Sequence, residues 1–245
     1  TSHGLSFIQR YKDEPFCLYL AHECPHYPYQ GPNDPADRTV GKPEPILGRR
    51  KDRTAAYKEM MESMDTSIDR IVRKINSLDL EKETFIFFCS DNGPTGPGSS
   101  GPLKGKKGSL WEGGHRVPGI AYWPSKIRPG TVTNETALTM DLLPTLASLA
   151  GLSPPTTLKL DGVDLLPLMV GEKPLSERSL FWRFKNDCAI RKGPWKLING
   201  ESQSLFHLDD DISETTNIIR KEQERGKSLE QELMNWSRKI SVGIE

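Results

Sequence analysis

Two apolar runs flank one long amphipathic segment, and that order restricts the fold more than anything else in this chain. Pro15-Phe16-Cys17-Leu18-Tyr19-Leu20-Ala21 has few polar breaks and reads as a buried strand. Tyr57, Met61, Met64, Ile68, Ile71, Ile75 and Leu78 then recur at the spacing of a helix with one face on a core. Asp52 is placed to cap it. The second run, Thr84 to Cys89, is again strand-like and ends at Ser90-Asp91-Asn92-Gly93. Strand, helix, strand in that order predicts a parallel βαβ unit. In such sheets ligands collect beyond the carboxyl ends of the strands. His26, after the first strand, and Asp91 and Asn92, after the second, are therefore expected on one rim.

Two segments carry chemistry. Asp91 and Asn92 put oxygen donors side by side, which suits a hard divalent cation. Gly105-Lys106-Lys107-Gly108-Ser109-Leu110-Trp111-Glu112-Gly113-Gly114 puts lysines in a glycine-rich loop, which suits an anionic group. A cation site and an anion site so close in sequence point to an enzyme acting on a charged ester. The surrounding loop, 93–115, is longer than loops without a task usually run. No catalytic nucleophile is evident anywhere in the chain.

Composition excludes some classes. Lys+Arg and Asp+Glu balance at 33 each, so the basic excess of a nucleic-acid binder is missing. No apolar run approaches the length of a transmembrane span. Thr1-Ser2-His3-Gly4 has neither an initiating Met nor a signal-peptide pattern, so the chain is expected to begin in mid-domain and gives no compartment. Cys17, Cys24, Cys89 and Cys188 contain no C-x-x-C pair, which disfavours zinc. Cys17 and Cys89 read as buried, inert thiols, and Cys24 as partly exposed.

Further along, residues 31–51 read as a surface loop and Val117 to Trp123 as a strand. Asp141 is expected to cap a helix over Leu142 to Leu149 that Gly151 closes. A proline-bearing connection, Ser153 to Pro174, follows. The last third changes character. Ser179–Phe184, Cys188–Arg191, Trp195–Ile198 and Ser204–Leu208 are short strand-like pieces between turn residues, the pattern of an antiparallel meander. Leu229, Leu233, Trp236 and Ile240 mark an amphipathic helix within 219–240. His22, His115 and Arg116 are expected in structural roles, and Lys104 and Lys106 as surface charge. Trp111 should pack against its own loop, and Asp209-Asp210-Asp211 should form a solvated turn.

Several motifs in fixed order carry a resemblance. They are Phe16-Cys17-Leu18-Tyr19-Leu20-Ala21 with Pro25-His26-Tyr27-Pro28, then Ser90-Asp91-Asn92-Gly93, then Gly105 to Pro118. Met140-Asp141-Leu142-Leu143-Pro144-Thr145-Leu146, Asp161-Gly162-Val163-Asp164 and Gly193-Pro194-Trp195-Lys196-Leu197 complete the order. Together they resemble the C-terminal half to two-thirds of a type I sulfatase of the arylsulfatase and N-acetylgalactosamine-6-sulfatase kind. The resemblance implies an α/β, alkaline phosphatase-like sulfatase fold: a mostly parallel sheet flanked by helices, then a small antiparallel sheet with a terminal helix. It implies that residues 1–152 belong to the large catalytic domain and 153–245 to a C-terminal subdomain. By the same resemblance Asp91 and Asn92 bind calcium (Ca2+), Lys107 contacts the sulfate, and His26 contacts the sulfate ester or protonates the leaving alcohol. The substrate is expected to be a sulfated small molecule or sulfated glycan, and the compartment periplasmic, secreted or lysosomal.

The family's nucleophile is a formylglycine made from the Cys or Ser of a C/S-x-P/A-x-R motif. Its hydrate attacks sulfur while the metal and cations neutralise the sulfate oxygens. This chain departs from that pattern. No cysteine has Pro and Arg at the required positions, and Ser100-Gly101-Pro102-Leu103-Lys104 ends in Lys. The aspartate pair that completes the family's metal site is also missing. The chain is therefore expected to be a fragment with an incomplete calcium site and little turnover of its own. Two other readings stay open: a phosphate or phosphonate ester hydrolase of the alkaline phosphatase superfamily, and a non-catalytic module that binds sulfated glycans.

Overall fold

The computed structural model describes residues 1–36, 46–153, 155 and 157–241. Part of the expected surface loop, 37–45, and positions 154 and 156 of the proline-bearing connection lie outside the described residues. Internal contacts divide the chain into two compact units, one of Thr1–Ile86 with Ala121–Pro129 and one of Phe87–Ile120 with Gly130–Glu245.

The first unit is built on two helices, α1 (Ser2–Arg10) and α2 (Arg53–Asn76). The periodic pattern announced α2, and Asp52 caps it by accepting from the Ala55 amide at 3.0 Å. The buried face sits one residue away from the expected stripe in its first turns. Met60 and Ala56 are buried against Tyr29, whereas Met61 is exposed. The short α1 went unread, because its few apolar residues are too close to the chain start to show a period.

The run 15–21 is extended but forms no ladder with any described strand. Its side chains alternate instead. Phe16, Leu18 and Leu20 are half-buried, while Cys17 and Tyr19 face solvent. Leu18 and Leu20 close around Gly4 of α1 together with Ile71 of α2, where a Cβ would come within 3.1 Å of Ile71. The expected buried strand is thus an extended segment covered on one face only, and Cys17 is exposed rather than buried. The physical reason is that a strand needs a hydrogen-bonding neighbour, and the described residues supply none here. The second run does form a strand, β1 (Ile86–Cys89), and it pairs with β2 (Gly119–Tyr122). Cys89 is half-buried.

The second unit holds the meander. After α3 (Glu112–His115), α4 (Leu142–Leu149) and α5 (Leu166–Met169) come β3 (Ser179–Phe184), β4 (Asp187–Lys192), β5 (Trp195–Asn199) and β6 (Gln203–His207). The four strands are antiparallel in sequential order, and α6 (Gln223–Ser241) follows. Register and alternation make this sheet two-faced. Ile190, Leu197 and Leu205 lie opposite one another and bury under Leu229 and Leu233 of α6. Ala189, Ile198 and Phe206 point the other way, onto Leu110 and Leu208 with Trp111 and Trp182. Phe181 stacks on Trp236 at 5.0 Å, and Glu232 of α6 accepts from Ser179 and Lys192. Each large side chain buried this way stabilises the fold by roughly 1.5–3 kcal/mol.

Candidate functional site

The turn after β1 carries Asp91 and Asn92, and Ser90 Oγ braces it by donating to the Asn92 carbonyl at 3.0 Å. The lysine loop closes onto that turn through two backbone bonds. The Gly93 amide donates to Gly114 at 2.9 Å, and the Lys107 amide donates to Pro94 at 3.1 Å. The approach is close enough that a Cβ on Gly93 would fall 1.9 Å from the Gly113 carbonyl oxygen, so only glycine fits. The Asp91-Asn92 pair and Lys107, far apart from each other in an extended chain, are thereby held on adjoining loops of the second unit. Asp91 and Lys107 are exposed and Asn92 is half-buried.

His26 lies in the first unit, exposed, between the cis peptides Cys24-Pro25 and Tyr27-Pro28. Its Nδ1 is 2.8 Å from the Tyr27 carbonyl, which can only accept, so Nδ1 carries the hydrogen and Nε2 is the atom left for chemistry. His22 has a structural setting, with Nε2 3.4 Å from Ser67 Oγ of α2. Burial, and next the N-terminal charge, lower its proton affinity.

The donor chemistry of Asp91 and Asn92 fits a hard cation in kind. No cluster of three or more His, Cys, Asp or Glu groups able to hold a metal occurs among the described residues. The pair can therefore supply only part of the six to eight oxygens calcium takes. Ser100, the near miss to the nucleophile motif, spends its hydroxyl on the carbonyls of Leu103 and Gly105. Burial, then the charge of Asp91, pushes the Cys89 thiol up, away from the reactive thiolate.

Beneath the lysine loop lies a buried ionic cluster that the sequence reading did not foresee. Glu112 and Glu214, both almost fully buried, share Lys196 of β5, whose Nζ is 2.8 Å from an oxygen of each. The Glu112 amide also donates to Glu214 Oε2 at 2.6 Å. Arg191 and Arg116 lie 3.4 and 3.3 Å from Glu112, and His115 lies 3.3 Å from it while stacking on Trp182. Burial alone would raise the Glu112 carboxyl, but His115, Lys196 and Arg191 outweigh it and hold it well below the usual range. Burial pushes Glu214 up, and Lys196 only partly offsets that. Glu214 also sits at φ +52, a strained backbone for a non-glycine residue.

Three expectations change here. Lys104 is not loose surface charge: its Nζ sits 3.5 Å over the Trp111 ring and 3.3 Å from the Glu214 carbonyl. Trp111 packs edge-on against Phe206 of the meander rather than only against its own loop. Asp141 occupies the cap position of α4 but makes no side-chain cap bond. It is fully buried instead, and accepts from Arg178 at 2.6 and 2.5 Å and from the amides of Leu138 and Val163. Burial acts to raise its carboxyl, but Arg178 and those amides leave it below the usual range. Alternation alone would turn Lys196 away from Leu197 and toward solvent; it is buried because the second face of the sheet is covered as well.

Comparison with known proteins now bears on this geometry. The family model described as Sulfatase matches residues 1–152, and that described as N-sulphoglucosamine sulphohydrolase, C-terminal, matches residues 106–239. The chain belongs to the sulfatase family. It is 36% identical over 203 residues to N-acetylgalactosamine-6-sulfatase of Canis lupus familiaris, covering 79% of this chain and 36% of that protein. It is 35% identical over 206 residues to arylsulfatase A of Homo sapiens, covering 80% of this chain and 38% of that protein. The chain thus spans a little over a third of the length of these curated sulfatases. Among solved structures, Ps i-CgsB superposes with a TM-score of 0.84 at 27% identity, covering 96% of this chain and 53% of that one. The same protein has been solved in complex with k-i-k-neocarrahexaose. The fold is accordingly the α/β, alkaline phosphatase-like sulfatase fold, with its small antiparallel sheet and C-terminal helix. No described helix of this sulfatase chain is long and apolar enough to cross a membrane.

Proposed function

We propose that the protein hydrolyses sulfate esters of sulfated saccharides, with Asp91 and Asn92 contributing to a calcium site and Lys107 binding the sulfate. The observation that carries this reading is the closure of the lysine loop onto the Asp91-Asn92 turn through Gly93 and Lys107. A bound divalent cation would neutralise sulfate oxygens and polarise the ester there. Lys107 adds a second positive charge toward the same oxygens, stabilising the charge that develops as the ester bond breaks. His26 would present Nε2 to the leaving oxygen, its ring orientation set by the Nδ1 bond to Tyr27. The nucleophile and the remaining metal ligands come from outside this chain's residues. The same reading assigns 1–152 to the catalytic domain and 153–245 to the C-terminal subdomain. The sulfatase relatives, one of them solved with k-i-k-neocarrahexaose, support a sulfated glycan substrate. A periplasmic, secreted or lysosomal setting goes with the same reading as an expectation from the family.

The test is kinetic, in the full-length protein. Lys107→Ala and Asp91→Ala should each lower kcat/KM for a sulfate ester at least 100-fold, on the order of the loss of one preorganised charge partner. Calcium chelation should do the same. Faster turnover of a phosphate ester would assign the phosphatase reading instead. Saturable binding of sulfated glycans without turnover would assign the binding-module reading.

A further inference from the structure

The hairpin between β3 and β4 carries a large aromatic residue where burial would be expected. Phe184 is 41% exposed. It lies on the same face of β3 as Trp182, which stacks on His115 at 4.7 Å. Phe184 also reaches the lysine loop: a Cβ on Gly108 would fall 3.4 Å from Phe184 Cζ, with no other atom as near. Gly108 sits at φ +81, a backbone that favours glycine, and a Cβ there would only touch the ring at ordinary contact distance. Gly108 directly follows Lys107, which places the ring at the edge of the proposed sulfate site and inside the same unit.

One cation lies against the ring and others are exposed on the neighbouring loop and on the opposite face of β3. Lys185, at φ +56 in the two-residue turn, holds its Nζ 5.6 Å from the ring centroid. Arg183, Lys106 and Lys107 are all exposed. The nearby acid, Asp187, opposes Phe184 in the ladder, but its carboxylate lies against Gly200. An exposed flat apolar ring with the Lys185 ammonium beside it, next to the loop that carries Lys107, suits a ligand that is itself flat, apolar on one face and anionic at its edges. A sulfated pyranose ring has that character, with axial C–H groups on one face and sulfate or carboxylate groups around the rim.

We propose that Phe184 is the stacking platform for the sugar ring of the substrate and that Lys185 reads a second anionic group on it. This rests on the assignment of Lys107 to the sulfate. Phe184 would then determine which ester is accepted without touching the sulfur itself.

The test uses the full-length protein and two readouts. One is KM and kcat on whichever carrageenan-, glycosaminoglycan- or fucan-derived sulfated oligosaccharide is turned over fastest. The other is inhibition by inorganic sulfate, which has no ring. Phe184→Ala should raise KM about ten-fold, with the loss falling on KM and sulfate inhibition unchanged. Phe184→Tyr should restore KM. Lys185→Ala should raise KM only for substrates with a second charged group, and the effect should shrink with added salt. If Phe184→Ala leaves KM alone, or weakens inorganic sulfate equally, the platform is wrong and the ring merely props the loop. If Lys107→Ala changes neither readout, or no oligosaccharide is turned over, the sulfate assignment itself fails and the platform with it.

Discussion

The meander of the second unit and the extended run 15–21 of the first are both apolar, yet they end in opposite states. Ile190, Leu197 and Leu205 are fully buried. Tyr19 is 89% exposed. The difference lies in where partners come from. Each meander strand pairs with its neighbour in sequence across a short turn, and α6 arrives soon after to cover one face. The run 15–21 has α1 and α2 on one side only and no ladder neighbour among the described residues. Apolar composition permits burial, and the distance to a partner decides whether it happens.

Four measurements would break or sharpen that contrast. The largest effect should come from Lys196→Met, which leaves the buried Glu214 without a cation and removes one of those around Glu112. Urea unfolding should show a loss of about 3–5 kcal/mol. A loss below about 1 kcal/mol would mean the cluster does not brace the meander. Next is Leu205→Ala, with a loss of about 2–5 kcal/mol from the transfer and cavity terms. A near-zero change would show that the sheet is not packed under α6.

The third measurement is a pH profile of stability. Glu112 and Asp141 both have depressed folded-state values against ordinary values of 4.5 and 3.8. Their contributions are present above those ordinary values and are lost as pH falls through the lower folded ones. Glu214 is raised, so its contribution runs the other way: full at low pH and lost as pH rises. Glu112→Gln and Asp141→Asn should therefore flatten the acid limb, whereas Glu214→Gln should leave it at least as steep. The opposite ranking would refute the charge assignment. The smallest effect should be Tyr19→Lys, within about 0.5 kcal/mol, as for other exposed positions. A loss above about 1.5 kcal/mol would reveal packing that the exposed ring does not suggest.

The same contrast explains what was legible in the sequence. The four strands of the meander, α2 with its Asp52 cap and the span of α4 could be read because their signals are local periods and caps. The oxygen-donor pair and the lysine loop stood out as short motifs. The Glu112–Lys196–Glu214 cluster did not, although both Glu112 and Lys196 sit in segments that carried the family resemblance. Its members are separated by most of the second unit, and no local pattern pairs a given carboxylate with a given lysine. Asp141 misled for a related reason. A residue at a cap position reads as a cap, and only the arrival of Arg178 shows that its oxygens are already taken.

The bond from the Glu112 amide to the Glu214 carboxylate closes a loop of 102 residues without any covalent link. Closing a flexible loop of that size costs on the order of 4 kcal/mol of chain entropy, so the contact forms only after the intervening strands have shortened the path. On the ribosome, Lys107 leaves the tunnel well before Glu214 has been translated. The segment around Lys107 can make its bonds to the Gly93-Pro94 turn early, but it must wait for the clasp made by residues still to come. Chains stalled before residue 214 should be cut readily by trypsin at Lys104, Lys106 and Lys107, and chains carried past α6 should resist. A stretch synthesised well after the anion-binding loop thus decides when that loop becomes a defined object.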